Sequence, residues 1–115
     1  SVFDEFVTKL YQMGRRFSEI IKKDSHFELA LEPQTNIVCF RMVQKQLSEQ
    51  ELNTLNERLR FALVQEGSFY IVQTKLRGTH FLRVTIMNPK TDPETLSALL
   101  AHLKELAKPI LQNLK

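Results

Sequence analysis

The stretch from Thr79 to Met87, reading THFLRVTIM, alternates between two sets of side chains that ask for different surroundings. Leu82, Val84 and Ile86 form one set, wholly apolar; Phe81, Arg83, Thr85 and Met87 form the other. Successive residues of a strand point to opposite faces of its sheet. One face of this strand therefore needs a dry cover, and the other does not. Arg83 is the only charged side chain in the stretch, and a cation in mid-strand is costly unless it meets an anion or faces another surface. A sheet covered by helices on one side only satisfies both sets.

The neighbouring segments extend this pattern. Ser68 to Leu76 is a second β-rich run, and Arg77–Gly78 between the two reads as a hairpin turn. Asn36 to Val43 is a β-branched and aromatic run in which Val38, Phe40 and Met42 match the apolar set, leaving Ile37, Cys39, Arg41 and Val43 opposite. Phe27 to Leu31 reads as a short strand ended by Pro33.

Three helices supply the cover. Phe3, Phe6, Val7, Leu10, Met13, Phe17, Ile20 and Ile21 fall at steps of three and four, with Gly14 on the same face allowing a neighbour close approach; Lys23–Asp24–Ser25 ends the pattern. Ser48 and Glu51 have capping-box spacing ahead of a stripe of Leu52, Leu55, Leu59, Ala62 and Leu63, and Gly67 suits the left-handed residue past the helix end. Asp92 as N-cap and Pro93 at the first helical position open the last helix, with Leu96, Leu99, Leu100, Leu103, Ala107 and Ile110 as its stripe. Pro109 is expected to kink or end that helix near Lys108. The order α-β-β-α-β-β-α predicts an α+β fold, a four-stranded, mainly antiparallel sheet with helices on one face, as a single domain over residues 1–115.

The 115 residues, 43% apolar and 25% charged, fit one compact domain. A net charge of +3, spread over sixteen basic and thirteen acidic side chains, lacks the clustered basic stripe of nucleic-acid binders. No apolar run approaches the ~20 residues a membrane span needs. The lone Cys39 excludes an internal disulfide and fits a reducing, cytoplasmic setting. The chain runs from Ser1 straight into a helical pattern without an initiator Met, which suggests a piece of something longer.

Motifs for unaided catalysis are missing. His26, His80 and His102 lack metal-ligand spacing, Cys39 reads as a core or interface thiol, and Gly14, Gly67 and Gly78 form no phosphate loop. The face bearing Arg83 is too apolar for free solvation and too cationic for a sealed core, a mixture that suits an interface.

The succession Phe27–Glu28–Leu29, Asn36–Ile37–Val38–Cys39–Phe40–Arg41, Leu55–Asn56, Gly67, Thr74, Gly78, Phe81–Leu82–Arg83 and Asn88–Pro89–Lys90–Thr91 resembles the C-terminal small domain of group II pyridoxal-phosphate-dependent amino-acid decarboxylases. The resemblance covers essentially the whole chain. It implies a parent lyase whose cofactor, carried on a lysine of a separate large domain, accepts the electrons released when the substrate's carboxylate leaves as CO₂. No His–Lys pair of the family's cofactor motif occurs here, so no cofactor is expected on this chain and no activity from it alone. The implied partners are its own large domain, an amino-acid substrate and a second copy of the parent in a homodimer, with no nucleic acid and no membrane. The family's small domain donates an arginine to a substrate carboxylate, and Arg83 matches that position. Arg41 resembles another recurrent position, for which an interface or structural role is expected. The competing reading is an RNA-binding or regulatory ligand-binding module, since an open antiparallel sheet with aromatics can stack bases; Tyr70 shares its alternation set with Val72, which points to burial for at least some of the aromatics.

Overall fold

The computed structural model describes residues 2–33, 35–63 and 69–114. Its elements are α1 (Val2–Lys22), β1 (Phe27–Leu29), β2 (Ile37–Met42), α2 (Glu49–Leu63), β3 (Phe69–Leu76), β4 (Thr79–Ile86) and α3 (Pro93–Asn113). The strands form one sheet in the order β1-β2-β4-β3, each neighbouring pair antiparallel. The fold is the α+β arrangement expected from the alternation pattern.

Register decides which residues share a face. Val38 stands opposite Val84 and Phe40 opposite Leu82, while Cys39 stands opposite Arg83 and Ile37 opposite Thr85. Val38, Phe40, Leu82, Val84 and Ile86 are fully buried beneath the helices with Phe17, Ile21, Leu55, Leu59, Leu96 and Leu103. Both α1 and α2 lie against the strands, and α3 packs against those two helices.

Several local expectations hold at atomic detail. The Ser48 N–H donates to Glu51 Oε1 at 2.9 Å and the Glu51 N–H to Ser48 Oγ at 3.2 Å, closing the capping box. Asp92 Oδ1 accepts from the Thr95 N–H at 2.8 Å and caps α3. Arg77 and Gly78 both take positive φ, 54° and 82°, the left-handed pair of a tight hairpin whose twist matches its strands. At Gly14, a side chain would collide with the Thr35 carbonyl oxygen, so the missing Cβ lets the segment entering β2 cross α1 closely.

Other expectations need correction. Phe3 and Phe6 are 72% and 42% exposed, so the first turns of the α1 stripe lie outside the core. A 21-residue helix is about 31 Å long and outruns a sheet whose second strand has six residues. Leu31 lies beyond the short β1 and is exposed, and Ala62 turns out of the α2 stripe toward solvent. The last helix continues through Pro109 to Asn113, because Ile110, Leu111 and Leu114 beyond it pack onto the core. Gly67, expected to close α2, and Ser68, expected to start β3, lie outside the described residues.

An unforeseen feature fixes α2 to the sheet. Asn56, 1% exposed, accepts from the Met42 N–H at 2.8 Å and donates to the Met42 carbonyl at 3.0 Å and the Leu52 carbonyl at 2.8 Å. Met42 lies past the residues of β2 that pair with β4, so the side-chain amide takes the place of a neighbouring strand. One turn earlier, Asn53 donates to the Gly78 carbonyl at 3.1 Å and accepts from the His80 N–H at 2.9 Å, tying α2 to the hairpin turn.

Candidate functional site

The sheet face away from the helices carries Glu28 of β1, Ile37, Cys39 and Arg41 of β2, Phe81, Arg83 and Thr85 of β4, and Tyr70, Val72 and Thr74 of β3. Arg83 lies at its centre, opposite Cys39 on one side and Val72 on the other. Its side chain is exposed, and among the described residues no carboxylate pairs with it. Its charge is felt by Cys39: burial pushes that half-buried thiol's pKa up, and the nearby guanidinium opposes the rise. A free guanidinium offers parallel N–H donors in a plane, the geometry that a carboxylate accepts.

Arg41 shares the face and has a different environment. It is 7% exposed, and its Nη1 donates to Glu49 Oε2 at 2.9 Å. Its Nη2 donates to Glu28 Oε2 at 3.2 Å and to Glu49 Oε1 at 3.4 Å, and the guanidinium carbon lies 5.7 Å from the centre of the Phe81 ring. Glu28 stands directly opposite Arg41 across the β1–β2 pairing, whereas Glu49 comes from the first turn of α2. The Glu49 bond raises the Arg41 pKa against the opposing effect of burial, and the same bond lowers that of Glu49. Of the two roles expected for Arg41, the structural one applies: its charge is consumed within the chain. Its Nε is buried without a partner among the described residues, so the guanidinium is held at its outer nitrogens only.

The remainder of the face is mixed. Phe81 is 8% exposed, lying beneath Arg41, although its alternation set is the open one. The burial expected for at least some of the aromatics applies to Phe81 and not to Tyr70, which is 58% exposed, because β3 is an edge strand and no element covers its outer face among the described residues. Among the described residues the face thus presents one exposed aromatic ring, less than the set of stacked rings a base-binding platform uses.

The histidines stay apart. His26 Nδ1 lies 3.1 Å from Asp24 Oδ1, His80 pairs with Gln73, and His102 is exposed on α3. Among the described residues no three His, Cys, Asp or Glu side chains converge on one point. No helix among those residues is long and apolar enough to cross a membrane.

Arg83 was legible from sequence as a cation in a strand. The Glu28–Arg41–Glu49 cluster was not, since its carboxylates lie 13 and 8 residues from the arginine and meet it only through strand register and the placement of α2.

No family model matches the chain. Curated proteins do. An aromatic-L-amino-acid decarboxylase of Drosophila lebanonensis is 33% identical over 83 residues, 72% of this chain and 19% of that protein. Tyrosine decarboxylase 3 of Petroselinum crispum is 26% identical over 113 residues, 95% of this chain and 22% of that protein. Among solved structures, the glutamate decarboxylase domain of a diaminobutyrate-pyruvate transaminase and L-2,4-diaminobutyrate decarboxylase from Vibrio parahaemolyticus superimposes with a TM-score of 0.79 at 26% identity, over 89% of this chain and 21% of that one. Mouse CSAD in its apo form gives 0.77 at 26% identity, over 90% of this chain and 24% of that one. The chain spans about a fifth of the length of the curated relatives it matches.

Proposed function

The chain belongs to the group II pyridoxal-phosphate-dependent amino-acid decarboxylases, and from that premise we propose that it is the C-terminal domain of a longer, homodimeric, cytoplasmic member that releases CO₂ from an amino acid. The open sheet face packs toward the large domain of the parent, and Arg83 grips a carboxylate of the substrate. The observation that carries this reading is the contrast on that face: Arg83 is exposed and unpaired among the described residues, while Arg41 beside it is neutralised.

The residues of the open face do not by themselves fit pyridoxal phosphate. Among the described residues that face carries no lysine to hold the cofactor, and its second cation is already held by two carboxylates. The cofactor belongs to the large domain in this reading, where it supplies the electron sink for decarboxylation. This chain contributes orientation. A guanidinium that bonds both oxygens of a carboxylate fixes its direction as well as its charge.

The test is chemical. The parent polypeptide, purified with pyridoxal phosphate, is expected to release CO₂ from an amino acid labelled at its carboxylate and to form the matching amine. A parent that binds the cofactor and liberates no CO₂ from any of the aromatic, neutral or acidic amino acids would refute the assignment.

A further inference from the structure

Two arginines occupy the open face, and one of them is unavailable. Arg41 follows Cys39 by two residues on β2, and Cys39 stands opposite Arg83, so the two cations are diagonal neighbours on one face. Such neighbours sit roughly 7–8 Å apart, within joint reach of a small anion with two acid groups. Glu28 and Glu49 prevent that use. Their side chains are 53% and 70% exposed while that of Arg41 is 9% exposed, so the carboxylates lie outermost and the cation beneath them. The cluster also holds one more negative than positive charge, so a second acid group approaching it meets repulsion.

We propose that the Glu28–Arg41–Glu49 clamp is a specificity device: it removes Arg41 from anion recognition, leaves Arg83 as the one guanidinium on this face, among the described residues, without a carboxylate partner, and so favours amino acids with a neutral side chain over those with a second carboxylate. The inference rests on the carboxylate-binding role proposed for Arg83. It assigns Glu28 and Glu49 a part in substrate choice without contact with the reacting atoms.

The experiment uses the parent enzyme carrying Glu28→Gln and Glu49→Gln together. The ratio of kcat/KM for an acidic amino acid to that for a neutral one is expected to rise about tenfold, the effect of a charge interaction near 1.4 kcal/mol. Adding Arg41→Met should abolish the gain, because the freed cation is then gone. The single Glu49→Gln change, at an exposed carboxylate, should move the ratio the same way by a smaller factor and covers the case in which the double variant misfolds. A second readout needs only this chain: NMR should show separate, slowly rotating Nη signals for Arg41 in the native chain that merge in the double variant. A substrate ratio unchanged within twofold in folded, cofactor-loaded variants overturns the proposal, as does a native parent that prefers acidic substrates. Undiminished turnover in an Arg83→Ala parent would strike the Arg83 reading itself, and is distinguished by affecting no substrate at all.

Discussion

Replacing Asn56 with Ala should destabilise this chain more than its position on a helix suggests. Asn56 is buried and is the partner of both the N–H and the carbonyl of Met42, a residue that is itself 1% exposed. Neither Met42 group has a strand to turn to, because the pairing of β2 with β4 ends at Phe40 and Leu82. Each buried backbone group left without a partner costs about 1–3 kcal/mol. Two of them, with little compensation from water, put the loss at about 2–5 kcal/mol, against a total stability of about 5–15 kcal/mol for a domain of this size. At about 2.1 cal/mol/K per residue of unfolding entropy, this corresponds to a fall in Tm of about 8–20 °C. Urea unfolding followed by circular dichroism measures it, with an unchanged m-value confirming that the native state has been destabilised rather than rearranged. Gln50→Ala, at an exposed position on the same helix, serves as the control and should change stability by about 0.5 kcal/mol or less. A loss below about 1 kcal/mol for Asn56→Ala would refute the claim that the amide stands in for a strand.

Two further perturbations test the packing and the charges. Gly14→Ala must push the Thr35 segment away from α1, and should cost about 1–3 kcal/mol despite alanine's better helix propensity; a neutral or stabilising result in thermal unfolding would show that the approach is not tight. Burial pushes the Asp24 pKa up, but bonds from Lys104 at 2.7 Å and from His26 outweigh it and leave the carboxyl below its ordinary value. A carboxyl depressed on folding adds stability above its unfolded pKa, near 4, and the contribution is lost as pH falls through the folded value. Asp24→Asn should therefore lower stability at pH 7 and flatten the acid limb of the stability–pH curve; parallel curves for the two proteins would contradict this.

The fold was legible because the strong signals are local. Alternation in β2 and β4, the Ser48–Glu51 and Asp92–Pro93 starts, and the Arg77–Gly78 turn each encode their structure within a few residues. What stayed hidden depends on pairing over distance. The burial of Phe81 on the nominally open face follows from Arg41 lying over it, and the hold on Arg41 follows from Glu28 and Glu49 arriving from other elements. Nor does periodicity report where a helix leaves its support, so the exposure of Phe3 and Phe6 could not be read from their spacing. Of the two outcomes expected at Pro109, a kink or an end, the end does not occur, because apolar residues beyond the proline hold the final turn against the core. Arg83 sat between these cases. Its face was readable from alternation alone, but its lack of a carboxylate partner among the described residues was not.

The role of that free guanidinium is decided most directly by kcat/KM for decarboxylation in the parent enzyme carrying Arg83→Ala, with cofactor occupancy fixed from its absorbance. Loss of charge-assisted bonds worth roughly 1.5–3 kcal/mol each predicts a fall of about tenfold to a hundredfold or more with the cofactor still bound. A fully loaded variant whose kcat/KM matches that of the native parent would contradict the account.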